Sequence, residues 1–239
     1  MIPKVIHYCW FGRGEMSQLA KDCIASWHRY MPDWEYKLWN EDNFDVASVP
    51  YTKEAYEAKK YAFVTDYVRL WALYTEGGVY MDTDVEILKP LDDLLHLSAF
   101  TGYEGSKSLP PVTGLMASLP HGIWVKEQLD SYENEHFLME DGSFDLTTNT
   151  VRIAKIMRDN GFVQDGTEQD YKDLRVFPVD YFCPRQTTGE ALFTENTYCD
   201  HHCMGSWAED EGGWKSVVKR IVGEHNMTRL IKLKRKLFG

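Results

Sequence analysis

This 239-residue chain has few cysteines, no long apolar run and too few basic residues to balance its acidic ones. The five cysteines are odd in number and lack the spacing of a disulfide framework, so we expect a reduced, cytoplasmic protein. No stretch approaches the roughly 18 apolar residues of a membrane-spanning helix, and the first residues enter a strand pattern without the form of a secretory signal. The net charge of −11 argues against nucleic acid as a partner.

Basic residues are concentrated at the carboxyl end of the chain. From residue 215 onwards, eight Lys or Arg stand against one acidic residue, a net charge of +7 that leaves −18 for the rest. Apolar residues are interspersed among these cations, which is typical of an amphipathic helix on an anionic membrane surface but also of a solvated helix with a basic face. We therefore separate a domain over 1–213 from a basic amphipathic helical tail over 214–239. In the first of these two interpretations, the tail lies at the inner face of the cytoplasmic membrane.

Strand and helix patterns alternate along the chain. Strands are predicted over 5–11, 35–40, 79–87, 99–104, 113–118, 176–182 and 197–202, and helices over 15–30, 55–74, 123–135 and 147–160. The alternation at the start predicts an α/β fold with a mostly parallel sheet and helices on both faces. In such a fold, ligands bind beyond the carboxyl ends of the strands.

Two aspartates, Asp82 and Asp84, lie two residues apart in an apolar run. In a strand they point to the same face, with Cα atoms roughly 6.5–7 Å apart. Two such charges repel each other and lose hydration unless a cation lies between them. Oxygen ligands favour Mg²⁺ or Mn²⁺, so the pair predicts a site for one of these ions. A strand end with two solvated aspartates remains the alternative, because the motif is short.

A helical pattern precedes this pair. Asp66 and Arg69 are three residues apart and therefore neighbours on the predicted helix 55–74. The adjacent glycines at 77–78 can end the helix, and the strand that carries the aspartates begins at once. We expect the helix to bring Asp66 and Arg69 toward the aspartates. The alternative is an ordinary surface ion pair, which contributes less than about 1 kcal/mol.

Together these segments resemble glycosyltransferase family 32. The similar segments are I-P-K-V-I-H-Y-C-W-F-G at 2–12, the region 27–40, A-F-x-x-D-Y-x-R at 62–69, Y-x-D-x-D at 80–84 and H-H-x-x-G-S-W at 201–207. The family includes yeast-type mannosyltransferases and bacterial capsule-synthesis transferases, and it is similar to the catalytic domain of the large clostridial glucosylating toxins. The resemblance is good over 1–95 and 196–208 and weak between them.

The resemblance implies a GT-A-type fold and an activity. The activity is the metal-dependent transfer of a sugar, with retention of configuration, from a nucleotide-sugar to a glycan or lipid-linked saccharide in bacterial capsular or other surface polysaccharide synthesis. A UDP-sugar is the favoured donor and a GDP-sugar the alternative, with Mn²⁺ or Mg²⁺ as cofactor. A toxin-like transferase that glycosylates a protein and a non-catalytic carbohydrate-binding protein of the same fold are alternative interpretations.

The resemblance also assigns roles to residues. Asp66, Arg69, Asp82 and Asp84 are the expected catalytic residues. The expected metal ligands are Asp82, Asp84 and His202. His202 is preferred to His201 because neighbouring strand residues point to opposite faces. The remaining expected contacts are Trp10, Asn40, Tyr80, Ser206 and Trp207 with the donor, and Asp145 and Asn149 with the acceptor.

A zinc site and a metal-dependent hydrolase fit the sequence less well than a transferase with a Mg²⁺ or Mn²⁺ site. The run 199–203 holds two Cys and two His, but adjacent histidines in one short strand cannot easily close a zinc tetrahedron with both cysteines. A metal-dependent hydrolase that used the same aspartates would need a water-activating base and more ligands than the sequence offers.

Overall fold

The computed structural model describes residues 1–105, 111, 114–185 and 191–203. The chain divides into two units, Met1–Cys203 and Met204–Gly239, and the second lies outside the described residues. The predicted tail and the predicted donor contacts Ser206 and Trp207 therefore also lie outside them. Within the described part, no helix has the length and apolar character that crossing a bilayer requires.

The described part of the chain contains nine strands, six α-helices and one short 3₁₀ helix at Asp92–Leu94. The strands are β1 (Val5–Cys9), β2 (Glu35–Trp39), β3 (Gly78–Met81), β4 (Val85–Ile87), β5 (Ala99–Gly102), β6 (Leu115–Ser118), β7 (Gln169–Tyr171), β8 (Leu174–Phe177) and β9 (Cys199–His201). The helices are α1 (Gln18–Tyr30), α2 (Pro50–Glu57), α3 (Tyr61–Glu76), α4 (Ile123–Asp130), α5 (Asn149–Asp159) and α6 (Val179–Phe182).

Seven of the strands form one sheet in the order β2-β1-β3-β6-β5-β8-β7, while β4 and β9 form a separate antiparallel pair. The half that contains β1, β2 and β3 is parallel, as the alternating pattern predicts. In the other half, β6 is antiparallel to both β3 and β5, β5 is parallel to β8, and β7 is antiparallel to β8. The predicted α/β fold is confirmed.

The sheet separates two apolar clusters, so it is covered on both faces. On one face, Tyr80 and Met116 pack with residues of α2, α3, α4 and α5. On the other, Val79 packs with Trp27 of α1 and Phe182 of α6. Successive residues of β3 thus enter opposite clusters, as the strand period of two requires. All four residues of β3 are buried, and ligands of α/β proteins bind beyond the carboxyl ends of such strands.

The predicted helix 55–74 and the predicted strand 176–182 are each divided in two. Lys59 has a left-handed φ of 59°, which an α-helix does not contain, and so the predicted helix 55–74 becomes α2 and α3. Pro178 follows β8 and precedes α6. Because proline has no N–H to donate to a sheet, the predicted strand 176–182 ends there and continues as a helical turn. The short, polar strand β7 has no clear sequence signal.

The two glycines between α3 and β3 allow a tight connection. Gly77 and Gly78 have φ values of 68° and 101°, in the left-handed region that favours glycine. A Cβ atom on Gly78 would lie 2.7 Å from the carbonyl oxygen of Val5. The Nε2 atom of His7 hydrogen-bonds to the Gly77 carbonyl oxygen at 2.8 Å. The connection therefore holds the end of α3 directly against β1.

Candidate metal centre

Asp82 and Asp84 lie in a turn, not in a continuous strand. The predicted strand 79–87 is wrong in this respect, because β3 ends at Met81 and β4 begins at Val85. The Val85 N–H donates to the Asp82 carbonyl oxygen at 3.0 Å, which closes the turn, and the Asp82 N–H donates to the Gly114 carbonyl oxygen at 2.8 Å. The two carboxylates converge because the chain turns between them, and both are half-buried.

His201 completes a three-residue cluster with these aspartates. Strand β9 pairs with β4 so that His201 lies opposite Val85, the residue after Asp84. The His201 Nε2 is 3.4 Å from Asp84 Oδ1. One ligand atom from each of Asp82, Asp84 and His201 lies within 4.8 Å of the others. Two carboxylate oxygens and an imidazole nitrogen form a donor set that fits Mn²⁺ and accepts Mg²⁺.

His202 does not lie at this cluster, which corrects the predicted ligand set. Its Nε2 is 3.3 Å from Glu86 Oε2, and its N–H donates to the Asp84 carbonyl oxygen at 3.0 Å. His202 follows the last residue of β9, and the two neighbouring histidines contact different carboxylates, as alternation along an extended chain predicts. The register of the β4–β9 pair, however, turns His201 toward the aspartates and His202 toward Glu86.

Electrostatics at His201 are consistent with a cation position. The residue is only 7% exposed. Burial works against the charged imidazole, but the carboxylate of Asp84 and the neighbouring sulfur atoms raise the pKa of His201 overall. In the absence of a metal ion, a proton on His201 offsets part of the negative charge of the aspartates.

Arg69 links the helix to the aspartates. Its Nη2 is 3.1 Å from Asp66 Oδ1 and 3.3 Å from Asp82 Oδ1. The Arg69 Nε also donates to the Thr65 carbonyl oxygen at 3.2 Å. Arg69 and Asp66 are 5% and 8% exposed, so this is a buried network and not the surface pair that was the alternative. The prediction that α3 brings Asp66 and Arg69 to the aspartates is confirmed.

Tyr80 contacts both Asp82 and Arg69 of this network. It is 1% exposed, and its hydroxyl donates to Asp82 Oδ1 at 2.8 Å. The Arg69 guanidinium lies over its ring, 4.7 Å from the centroid. The side chain is buried and contacts the site through Asp82, and the predicted contact between Tyr80 and the donor stays a prediction.

Asn149 lies against Asp66 at the start of α5. The Asn149 N–H donates to Asp66 Oδ2 at 3.0 Å, and its Nδ2 donates to the Asp66 carbonyl oxygen at 3.2 Å. The Oδ1 atom of Asn149 is buried without a hydrogen-bond partner among the described residues. Burial raises the pKa of Asp66 to about 6, although Arg69 and the Asn149 N–H act in the opposite direction.

Asp145, the other expected acceptor residue, is held by its own neighbours. Its Oδ2 accepts from Arg152 at 2.9 Å, and its Oδ1 accepts from the Thr147 N–H at 3.0 Å. The Arg152 guanidinium is 4.7 Å from the centroid of the Tyr132 ring. These contacts fix the approach to α5, and the acceptor role of Asp145 stays a prediction.

Trp10 and Asn40 follow the neighbouring parallel strands β1 and β2. The indole N–H of Trp10 donates to the Gly14 carbonyl oxygen at 2.7 Å, and the ring is half-buried. The Oδ1 atom of Asn40 accepts from the Asp42 N–H at 2.8 Å. Both residues thus stand at the carboxyl edge of the sheet, where ligands of α/β proteins bind. Their contacts with a donor remain predictions.

Glu104 is a residue of this region that no sequence motif singles out. It follows β5, and its Oε1 accepts a hydrogen bond from Thr150 at 3.4 Å. Burial raises the pKa of Glu104 to about 7, while the charge of His201 opposes the rise. Its only sequence signal is its place at the carboxyl end of the predicted strand 99–104, in the region that resembles the family weakly.

Comparison with known proteins finds a match over the region that contains Asp66, Arg69, Asp82 and Asp84. Residues 17–101 match the family model described as "Glycosyltransferase sugar-binding region containing DXD motif". The chain is 34% identical over 146 residues to inositol phosphoceramide mannosyltransferase 3 of Schizosaccharomyces pombe, covering 57% of this chain and 40% of that protein. It is 28% identical over 145 residues to mannosyl phosphorylinositol ceramide synthase of Saccharomyces cerevisiae, covering 58% of this chain and 37% of that protein. The chain thus spans about 40% of the length of the first of these relatives.

The fold is shared with a solved glycosyltransferase. The crystal structure of a glycosyltransferase involved in glycosylation of the major capsid of PBCV-1 superposes with a TM-score of 0.50 at 12% identity, over 87% of this chain and 96% of that one. This likeness confirms the predicted GT-A-type fold. The matched region and the names of the relatives agree with the predicted enzyme class.

Proposed function

We propose that this chain is a metal-dependent glycosyltransferase that moves a sugar from a nucleotide-sugar to a glycan or lipid-borne acceptor. The observation that carries the proposal is the cluster of Asp82, Asp84 and His201, whose ligand atoms lie within 4.8 Å of one another. The buried contact of Arg69 with Asp82 ties this cluster to Asp66. A non-catalytic protein of the same fold would have no use for three converging ligands and a buried arginine beside them.

The chemistry needs charge neutralisation at the diphosphate of the donor. A divalent cation held by the two aspartates and His201 would supply it when bound. The chain's own residues fix the geometry: Tyr80 and Arg69 hold the Asp82 carboxylate, and the His201 Nε2 lies 3.4 Å from Asp84 Oδ1. Holding a ligand in a single geometry in advance lowers the reorganisation that binding and reaction require.

Recognition of the sugar is proposed at Asp66 and Asn149. Asp66 is ionised above about pH 6, given that burial raises its pKa to about 6, and an ionised carboxylate accepts hydrogen bonds from sugar hydroxyls. The Asn149 Oδ1 is a buried acceptor without a partner in the described part of the chain. A buried polar atom without a partner is unfavourable, and a sugar hydroxyl would supply the missing hydrogen bond.

The sugar and acceptor are proposed from the relatives' names. These names refer to mannose and to inositol phosphoceramide, which supports a mannosyl donor, and hence a GDP-sugar, ahead of the UDP-sugar that the resemblance favours. They also support a polar headgroup on a lipid as acceptor. Retention of configuration and a role in bacterial surface polysaccharide synthesis remain predictions from the resemblance.

The test is calorimetric titration of GDP and UDP into the protein with Mn²⁺ and then with EDTA. We expect binding with Mn²⁺ that EDTA abolishes. His201→Ala should weaken binding at least about tenfold, as loss of metal-site contacts does, whereas the matched variant His202→Ala should bind as wild type. Equal losses in the two variants, or tight binding in EDTA, would contradict the assignment of the cation site.

Turnover separates the transferase from its alternatives. With GDP-mannose and UDP-hexoses, the protein should release nucleotide slowly alone and faster when an acceptor glycan is added. Rapid release without an acceptor would indicate a hydrolase. Absence of Mn²⁺-dependent nucleotide binding would indicate a non-catalytic protein with the same fold.

A further inference from the structure

A second cluster of metal-ligating side chains lies beside the first. Cys183 follows α6, His201 ends β9, and Cys203 is two residues further along the chain. One ligand atom from each of these three residues lies within 4.8 Å of the others. The run 199–203 alone did not predict this cluster, because Cys199 is buried with its thiol on the Phe182 carbonyl oxygen and Cys183 comes from a distant segment.

Burial and contacts suit these three side chains to hold a ligand. Cys183 is 1% exposed and His201 7% exposed, while Cys203 is open to solvent and offers a way in. The Cys203 sulfur lies 3.5 Å from the His201 carbonyl oxygen, so it folds back toward the strand. The His201 Nδ1 is buried and has no hydrogen-bond partner within the described ranges. A buried imidazole nitrogen without a partner beside two thiols is an arrangement that a metal ion would satisfy.

The donor set differs in chemistry from that of the neighbouring aspartates. Two sulfurs and an imidazole nitrogen are ligands of Zn²⁺, whereas carboxylate oxygens suit Mg²⁺ and Mn²⁺. Zinc sites with three protein ligands leave a fourth position for water or another ligand. The exposed side of Cys203 provides the entry path that such a site needs.

We propose that Cys183, His201 and Cys203 bind Zn²⁺ at a site that shares His201 with the Asp82–Asp84 centre. The sharing rests on the proposed function, since it assumes that the aspartates and His201 hold a cation for the donor. The Nε2 of His201 is at Asp84, and its Nδ1 is the nitrogen without a partner. Zinc on the sulfurs therefore either places a second positive ion on the same imidazole or withdraws the imidazole from the aspartates. Both effects weaken Mn²⁺ binding.

Zinc binding is measured first, without reference to activity. The full chain is treated with EDTA, kept reduced with a phosphine and titrated with Zn²⁺ against a chromophoric chelator, and Co²⁺ is used in parallel to report thiolate coordination by its charge-transfer absorption. We expect one tightly bound zinc per chain and thiolate-to-cobalt absorption. Cys203→Ser and Cys183→Ala should each abolish both signals, whereas Cys23→Ala and His202→Ala, controls outside the cluster, should retain them.

The second measurement is Mn²⁺-dependent nucleotide binding with and without zinc. In wild type, one equivalent of Zn²⁺ should weaken binding at least about tenfold, the scale of a lost metal-site contact. In Cys203→Ser, nucleotide binding should match wild type without zinc and should no longer respond to zinc. Because Cys203 is exposed, this variant tests the idea even if Cys183→Ala fails to fold.

The outcomes separate the two proposals. Zinc binding that needs both cysteines, in a protein that binds no nucleotide with Mn²⁺, would support the sulfur site and overturn the proposed function. Nucleotide binding with a zinc affinity unchanged in Cys203→Ser would overturn the sulfur site and leave the function intact. A Cys183–Cys203 disulfide that persists under reducing conditions, with no zinc bound, would also overturn the zinc site.

Discussion

Removal of Arg69 is predicted to destabilise the protein in a way that depends on pH. The guanidinium is buried and lies 3.1 Å from Asp66 Oδ1 and 3.3 Å from Asp82 Oδ1. Arg69→Ala leaves two carboxylates without their shared cation, one of them almost enclosed. Breaking a buried ion pair by removing one partner costs about 3–5 kcal/mol, because the remaining charge is buried without compensation.

Protonation of Asp66 limits this loss at low pH. Burial already raises the pKa of Asp66 to about 6, with Arg69 acting against the rise. Without Arg69 the pKa of Asp66 rises further, so the folded variant takes up a proton that the unfolded chain releases. Stability falls with increasing pH wherever the folded state binds more protons. The difference in free energy of unfolding between wild type and Arg69→Ala should therefore be small near pH 5 and grow toward pH 8. These pH values lie about one unit below and about two units above the pKa of Asp66 in wild type.

The assay is chemical denaturation at several pH values in EDTA, repeated with Mn²⁺. Arg69→Lys keeps the charge but loses the planar fork that reaches two carboxylates, so its loss should be intermediate. The control is Arg175→Ala, because Arg175 also meets two carboxylates, Glu168 and Asp170, but its side chain is 35% exposed and theirs are 41% and 64% exposed. Exposed pairs contribute no more than about 1 kcal/mol. Mn²⁺ should restore part of the stability of Arg69→Ala, since it also neutralises Asp82.

Two results would refute this reasoning. A loss in Arg69→Ala no larger than that in Arg175→Ala would show that the buried network contributes no more than a surface pair. A large loss that does not change between low and high pH would show that lost packing, and not the charge on Asp66, is responsible.

Three further predictions follow from single contacts. Tyr80→Phe removes the hydroxyl that donates to Asp82 at 2.8 Å, so Mn²⁺ affinity, measured by calorimetry, should fall about tenfold or more; unchanged affinity would contradict a positioning role. Nucleotide-sugar binding should weaken below about pH 6, because burial raises the pKa of Asp66 to about 6 and its ionised form is needed; Asp66→Asn should bind weakly without this pH dependence. Gly78→Ala should lower the free energy of unfolding by more than about 2 kcal/mol in urea, because its Cβ would lie 2.7 Å from a backbone oxygen of β1 at a φ of 101°; Gly14→Ala, with open space around it, is the control.

The grouping of Asp66, Arg69, Asp82 and Asp84 was predictable because the sequence signals for it are short-range. Asp66 and Arg69 are three residues apart, which places them side by side on any helix. The glycines at 77–78 predict the turn into β3. The two aspartates were placed together for the wrong reason, since a turn and not a strand pleat brings them together. A two-residue spacing is compatible with either geometry. The prediction that the two carboxylates lie together was therefore correct, while the predicted strand backbone was wrong.

The choice between His201 and His202 could not be made from the sequence. Alternation along a strand says only that one of two neighbours faces the site. Which one it is depends on the register of β9 against β4, set by the pairing of His201 with Val85. That register depends on tertiary contacts far apart in the chain. The positions of Cys183 and Glu104 and the contact of Asn149 with Asp66 also depend on such tertiary contacts, so the sequence alone did not predict them.

Gly114 shows how tertiary packing allows the metal cluster to form. Its carbonyl oxygen accepts the Asp82 N–H at 2.8 Å, which holds the start of the turn. On its other side, a Cβ atom at this position would lie 2.5 Å from the Cε1 atom of His201. The absence of a side chain at Gly114 is therefore what allows the imidazole to approach the same backbone that positions Asp82. Any side chain there would have to displace the His201 ring, so the cluster requires glycine at this position.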